Sequence, residues 1–335
     1  MRRARLELIS QGNNISRNIA PYFTSFSFTD NSEGKADDVK LTLEDTRRLW
    51  QGAWFPGKGD MIRASIVCEN WERPGDNRNL YCGTFSVDEI ELLGPPDAVS
   101  LGGVSSFTTT ALRREKKSRA WENSNLETIA GDIAKENGMD LFYQGPVINF
   151  VRRDQREQSD LSFLQSLASE SGLSVKVSDK RLILFDGKKQ DATSPVATVR
   201  RKDALKRFSL KTKTHDVFKA CQVTYWDPKE KAQKKYLYTP PGGSASGQVL
   251  KINTRVESIQ EAIDKAKKQL RKKNRFEVTG SLTVMGNPLF QAGFTINLEE
   301  FGKFDGRFFI DTARHDLSGS GGYSTDLTIR KVLDY

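Results

Sequence analysis

Short runs of alternating apolar and polar residues at both ends of the chain restrict its fold more than any other feature. Val39, Leu41 and Leu43 alternate with polar neighbours, and so do Ile62, Ala64, Ile66 and Cys68. A period of two puts every second side chain on one face, the pattern of a strand buried on one side and wet on the other. Turn chemistry separates the runs: Pro56-Gly57-Lys58-Gly59-Asp60, Arg73-Pro74-Gly75-Asp76-Asn77 and Gly94-Pro95-Pro96-Asp97. The first hundred residues therefore read as a small antiparallel barrel or sandwich. The same alternation returns later, at Phe208 and Leu210, Val223 and Tyr225, Phe294, Ile296 and Leu298, Phe308 and Ile310, and Leu327 and Ile329.

Between these ends the period changes. Ser124-Asn125-Leu126-Glu127 reads as a capping box ahead of Leu126, Ile129, Ala130, Ile133 and Ala134, with Gly138 at the C-terminal stop. A second amphipathic helix is predicted from Asp160 to Glu170, with Leu161, Leu164, Leu167 and Ala168 on one face and Gly172 ending it. A hairpin follows: Leu173, Val175 and Val177, a Ser178-Asp179-Lys180 turn, then Leu182 to Phe185. A third helix is predicted over 258–273. Ile259, Ala262, Ile263, Ala266 and Leu270 form its apolar stripe, and Lys265, Lys268, Arg271 and Lys272 its outer face. The fold class is α+β, mainly β, and a chain of 335 residues is long for one core. The expected division is an N-terminal β-barrel over 1–110, a small α+β domain over 111–190, and a second β-barrel over 191–335 that carries helix 258–273.

Two segments resemble each other. The first is Gly59-Asp60-Met61-Ile62 with Tyr81-Cys82-Gly83-Thr84-Phe85-Ser86-Val87-Asp88. The second is Gly293-Phe294-Thr295-Ile296 with Phe304-Asp305-Gly306-Arg307-Phe308-Phe309-Ile310-Asp311. The glycines lie 24 residues apart in the first and 13 in the second, a difference close to the length of the polar loop Asn70 to Asn79. Two readings are open: a duplicated barrel, or the ordinary recurrence of turn, glycine and aromatic strand. Duplication would give a trimer six similar units, matching a six-fold ring.

Signs of catalysis are missing. The two histidines, His215 and His315, have no partner at metal-ligand spacing, and no nucleophile elbow, phosphate loop or dinucleotide fingerprint sits in a strand-to-helix context. Asp37-Asp38 and Glu299-Glu300 are sequence neighbours, whose side chains point to opposite faces of a strand. No catalytic, cofactor-binding or metal-binding residue is nominated, and no cofactor is expected. Cys68, Cys82 and Cys221 are too few for a disulfide framework and read as small apolar side chains. The start, Met1 to Arg5, is basic but lacks a following apolar run of signal length, and no run reaches the ~18 apolar residues of a membrane span. Synthesis in a cytoplasm and no membrane anchor are the expectations.

The net charge is +9, which suits an acidic partner without choosing one. Arg113 to Arg119 and Lys267 to Arg275 are dense in cations. Phosphate contacts there would make binding lose roughly 10³–10⁵ in affinity between about 50 and 200 mM salt. No helix-turn-helix, zinc finger or RNA-binding aromatic motif accompanies them, so a solvated helix face is the plainer reading, and nucleic acid is not expected as a specific ligand. Trp50, Trp54 and Trp121 suit either an interface or a partly buried position.

Three ordered stretches carry a family resemblance. They are Lys117-Ser118-Arg119-Ala120-Trp121-Glu122-Asn123 running into the Leu126 helix; Gln155-Arg156-Glu157-Gln158-Ser159-Asp160-Leu161-Ser162-Phe163-Leu164, ending near Arg181-Leu182; and a tail. The tail holds Gly286-Asn287-Pro288, Ala292-Gly293, Gly302-Lys303-Phe304-Asp305-Gly306-Arg307-Phe308, His315 and Gly322-Tyr323-Ser324-Thr325-Asp326-Leu327. In order and spacing these resemble the phage late control D proteins, the baseplate hubs of contractile tails. The resemblance implies two tube-protein-like antiparallel β-barrels with a smaller α+β insertion. It also implies a homotrimer that forms a pseudo-six-fold adaptor between the tail tube protein and a trimeric tail spike protein, with tape-measure and other baseplate proteins as further partners. The location it implies is the virion tail baseplate of a phage, tailocin or other contractile injection system, and the role is structural, not enzymatic. The alternatives are a basic nucleic-acid-binding phage protein and a tail-associated cell-wall hydrolase. The partner interface is left unassigned.

Overall fold

A computed structural model describes every residue except 53, 106–109, 179, 203–204, 228–231, 243–246 and 254–258. The first part of the chain forms β1 (Arg3–Ser10), β2 (Asn13–Asn14), the single turn α1 (Ser16–Ile19), β3 (Phe23–Asn31), β4 (Asp38–Glu44), β5 (Met61–Glu69), β6 (Arg78–Leu93) and β7 (Ala98–Ser105). The alternation seen in the sequence is the burial pattern: Val39, Leu41 and Leu43 of β4 and Ile62, Ala64, Ile66 and Cys68 of β5 all face one core. Trp50 is buried with them, so of the three tryptophans only Trp54 is largely exposed, and Trp121 stacks on Phe163.

The middle part contains α2 (Thr110–Arg114), β8 (Lys116–Asn125), α3 (Leu126–Glu136), β9 (Asp140–Gln144), β10 (Asn149–Ser159), α4 (Asp160–Glu170), β11 (Leu173–Ser178), β12 (Arg181–Asp186) and α5 (Gly187–Asp191). Leu126, Ile129 and Ile133 of α3 and Leu164 and Leu167 of α4 pack with Leu182 and Leu184 into a separate core. The cap of α3 is Asn125, whose side chain accepts from the Thr128 amide at 2.9 Å, one position beyond the expected Ser124. The reason is that β8 keeps the backbone extended through Asn125, so the helix begins only at Leu126. The hairpin β11–β12 turns at Lys180 as expected; Asp179 of that turn lies outside the described residues, as do Gly243, Ser244 and Ser258.

The last part contains β13 (Thr198–Arg200), β14 (Leu205–Thr212), β15 (Phe218–Asp227), β16 (Ala232–Tyr238), β17 (Gln248–Asn253), α6 (Ile259–Asn274), β18 (Val278–Met285), β19 (Thr295–Glu299), β20 (Gly306–Ser318) and β21 (Gly322–Lys331). The small sheet β16-β15-β17 packs on α6 through Cys221, Val223, Ala262, Ala266 and Leu270. Helix α6 thus closes its own core, inserted between β14 and β18. The remaining strands surround a fourth core built on Leu282, Ile296, Leu298, Phe308, Ile310 and Leu327.

The β-rich first and last parts share one thirteen-stranded sheet. Its path is β14-β18-β21-β20-β3-β4-β7-β6-β5-β1-β2, with β19 also on β20 and β13 on β19. Within it, β4, β5, β6 and β7 repeat as β18, β19, β20 and β21, and β3 repeats as β14. The echo read in the sequence coincides with this repeat in its main-chain hydrogen bonds. The Gly59 amide donates to Val87 O (2.7 Å) and the Val87 amide to Asp60 O (2.9 Å). Likewise Gly293 donates to Ile310 O (2.9 Å) and Ile310 to Phe294 O (2.9 Å). The bulge between Val87 and Glu89 recurs between Ile310 and Thr312.

Four residues before each bulge, Gly83 and Gly306 have φ of 118° and 122°, a region that side-chain-bearing residues rarely enter. Gly306→Ala and Gly83→Ala are each expected to lower stability by at least about 1 kcal/mol. Gly187→Ala, which meets open space with no positive φ, serves as the unstrained control. Urea midpoints of the three variants check this.

Candidate functional site

The two β-rich parts meet where β3 pairs antiparallel with β20, from Asn31 opposite Thr312 to Ser25 opposite Ser318. Alternation puts Phe26 and Phe28 of β3 on the same face as Leu317 and His315 of β20. His315 is 0% exposed and stacks on Phe28. Its Nε2 lies 2.9 Å from Phe290 O and its Nδ1 2.7 Å from Tyr323 Oη. A carbonyl only accepts, so Nε2 donates, and Nδ1 of the neutral ring accepts from the phenol. Burial pulls the His315 pKa down to about 4. From the other direction, Trp71 in the β5–β6 loop donates its indole N–H to Gly286 O at 2.8 Å and packs on Tyr323.

Charged side chains fasten the middle unit across this seam. Lys176 of β11 is 2.6 Å from Asp30 of β3 and 3.9 Å from Asp37. The second Asp30 oxygen accepts from the Ala292 amide at 2.8 Å, so one carboxylate ties all three parts of the chain together. Asp37 accepts from the Asn31 amide and from Ser178. Burial pushes Asp37 up to about 6 despite the pull of Lys176, and Asp30 adds to the rise. Burial works against the Lys176 ammonium, but the two carboxylates outweigh it and its pKa is raised.

A second cluster links α5, α6 and the last two strands. Arg330 holds both oxygens of Asp191 (3.2 and 3.1 Å) and donates Nε–H to Asp311 at 3.1 Å, while Arg271 of α6 reaches Asp191 at 2.5 Å. Burial raises Asp311 to about 6, against Arg330. In the middle unit, Asp160 is 0% exposed and is held by Lys117 and Arg119 (both 2.8 Å) and Gln155 (2.9 Å). Burial works to raise its pKa, but the hydrogen bonds from Lys117 and Gln155 and the charge of Arg119 prevail and hold it low.

These contacts absorb much of the charge that the sequence left open. Lys117 and Arg119 of the first basic run bind Asp160 and also Glu136. On α6, Lys268 donates to Ser171 O (3.0 Å) just past α4, so the basic face is in part a contact between units instead of a solvated surface. Asp37 and Asp38 are not a working pair: Asp37 is buried against Lys176, whereas Asp38 opens β4. Glu299 pairs with Arg200 and Glu300 with Lys202 at the surface. His215 is exposed in a turn, the three cysteines are buried and free, and no metal-ligating group of three occurs among the described residues. None of Asp30, Lys176, Asp191, Asp311 or Arg330 is singled out by sequence reasoning. The one available signal is Asp30, a charge in phase with the buried Phe26 and Phe28.

Among the described residues this sheet leaves several backbone edges open, two of them at β14 and at the end of β6. Among the described residues β14 pairs only with β18, and β6 beyond Val87 pairs only with β7. Both edges expose apolar side chains: Phe208 at 39%, Leu92 at 50% and Leu93 at 41%.

Lys176→Met would leave two buried carboxylates without their cation. It is expected to cost about 3–5 kcal/mol, read from urea unfolding. The pH dependence has opposing parts. His315 titrates at about 4 when folded and 6.5 otherwise, so the unfolded chain takes the proton first and His315 withdraws stability as pH falls through that window. Asp37 and Asp311, held near 6 against 3.8, take up protons first when folded, so they add stability as pH falls from 6 towards 4. The stability deficit of His315→Gln relative to the wild type is expected to shrink by about 2 kcal/mol between pH 7 and pH 5. Paired urea curves at the two pH values measure it.

Comparison with known proteins adds the family. The model described as phage tail baseplate hub (GPD) matches residues 108–321. A probable baseplate hub protein of Escherichia phage 186 is 30% identical over 199 residues, 56% of this chain and 48% of that protein. The chain thus spans about half the length of this curated relative. In fold it is similar to the 43 kDa tail protein of prophage MuSo2 from Shewanella oneidensis, with a TM-score of 0.74 at 13% identity and 98% of each chain covered. It is also similar to an Escherichia coli component of the type VI secretion system, with a TM-score of 0.61 at 12% identity over 98% of this chain and 77% of that one. The family consists of structural hub proteins, not enzymes. The family match takes in the middle unit, β20 with its seam to β3, and more than half of the residues, and on that ground the chain belongs to the phage tail baseplate hub (GPD) family.

Proposed function

We propose that three copies of this chain form the central hub of a contractile, phage-type tail, with the tail tube on one side and a trimeric spike on the other. The observation that carries the proposal is the repeat inside one chain. Two halves with the same strand order, the same bulge and the same glycines are joined side by side by β3 and β20. A trimer of such chains presents six similar units to a six-fold tube and three identical chains to a three-fold spike. In this reading residues 1–110 and 191–335 hold the tube-like units, and 111–190 buttresses the seam through Lys176.

Relatives support the setting. The similar type VI component is described as resembling the phage T4 tail proteins gp27 and gp5, and a Francisella PdpA–VgrG complex contains a chain of TM-score 0.58 at 9% identity. The place of action is then the baseplate of the virion tail or of a related particle, after synthesis in the bacterial host. Tape-measure and other baseplate proteins are the further neighbours. The nucleic-acid reading loses ground because Lys117, Arg119 and Lys268 are engaged within the chain.

Native mass spectrometry, with the chain alone and co-expressed with the tail spike protein, is expected to give three copies, or three copies of each. A chain that stays monomeric in both conditions at micromolar concentration and low salt would refute the proposal.

A further inference from the structure

The repeat supplies a ruler for the two open edges. Aligning the registers sets Ile310 on Val87 and Leu327 on Leu101, which sets Leu282 on Leu41 and finally Phe208 on Phe26. Phe26-Ser27-Phe28 of β3 thus corresponds to Phe208-Ser209-Leu210 of β14, both reading Phe, Ser and then an apolar side chain. Strand β3 has partners on both sides, β4 and β20. Among the described residues its counterpart β14 pairs with β18 alone. The counterpart of the β20 segment that receives β3 is the end of β6, which among the described residues has no partner on the corresponding side.

We infer that β14 of one copy adds to the end of β6 of the next copy, antiparallel, in the register by which β3 adds to β20 within the chain. This rests on the trimeric reading above and specifies its contact surface. Transferring the observed pairs Phe28–His315, Thr29–Arg314 and Asn31–Thr312 places Leu210 opposite Leu92, Lys211 opposite Glu91, and Lys213 opposite Glu89.

Three independent features of these residues fit. The charges are complementary: β14 reads Lys206, Arg207, Lys211 with Lys213 just beyond, and the end of β6 reads Asp88, Glu89, Glu91. The faces agree as well. Leu210 and Leu92 occupy the positions of Phe28 and His315, which are buried in the seam, whereas the Lys211–Glu91 pair takes the positions of Thr29 and the exposed Arg314. Lastly, the pairing covers Leu92, at present half-exposed, and satisfies a row of unpaired backbone groups that otherwise invites uncontrolled association. Because the contact joins unlike edges head to tail, it propagates around a ring and closes when the rotation permits.

The test is disulfide trapping in the full chain. The native cysteines are buried and free, so background coupling is low. Cβ atoms of directly opposed residues lie about 4.5–5.5 Å apart, near disulfide reach. Leu92→Cys with Leu210→Cys is expected to give covalent trimers on mild oxidation, seen on a non-reducing gel. Leu92→Cys with Lys211→Cys, slipped by one residue and so on opposite faces, is expected not to. Lys211→Glu and Glu91→Lys are each expected to abolish the trimer with the circular dichroism spectrum unchanged, and the double reversal to restore it. A wild-type trimer whose cross-links form only in the slipped pair, or in neither, would overturn this register while leaving the hub reading in place. A wild-type chain that is monomeric and never cross-links would overturn both.

Discussion

The antiparallel pairing of β3 with β20 is the constraint on which the rest of the architecture depends. It turns two similar β-rich halves into one sheet and fixes their relative position by main-chain hydrogen bonds, whose geometry tolerates little slip when one face is buried. His315, in the middle of this ladder, has both ring nitrogens engaged. A buried imidazole with both nitrogens satisfied suits a joint better than a catalyst, since its low pKa keeps it neutral at any physiological pH.

Around this joint the ionic groups are arranged as fasteners. Asp30 contacts the middle unit through Lys176 and the second half through the Ala292 amide, and Asp191 gathers Arg330 and Arg271. Buried pairs of this kind add little net stability compared with a well-packed apolar core, but removing one partner is severe because the other is left charged and dry. The arrangement therefore favours one docking geometry over its neighbours.

The halves differ where the repeat has been interrupted. The connection from β3 to β4 is a short turn, while the corresponding connection from β14 to β18 holds β15, β16, β17 and α6. The polar loop between β5 and β6 reaches across to Gly286 through Trp71, whereas the matching connection between β19 and β20 is a short 3₁₀ turn at Gly302–Phe304. One half thus carries an extra α/β unit and the other a gripping loop, so the two halves are similar in strand order but not interchangeable.

Local structure was legible in the sequence wherever a residue's role depends on near neighbours. Alternation marked β4 and β5, helical spacing marked α3 and α4, and the echo of Gly59 and Gly83 in Gly293 and Gly306 marked the repeat, because each follows from the period of a strand, the period of a helix or the freedom of φ at glycine. The ordered motifs also carried the family. Tertiary structure alone decided what those elements touch. Nothing local says that Lys176, on the polar side of β11, meets an aspartate 146 residues away, that α6 closes a core of its own, or that Lys117 and Arg119 serve Asp160 instead of phosphate. Periodicity is a property of the backbone and is written in consecutive residues. Charge pairing and strand adjacency belong to segments that become neighbours only after the chain has folded, and one sequence records them no more plainly than it records their absence.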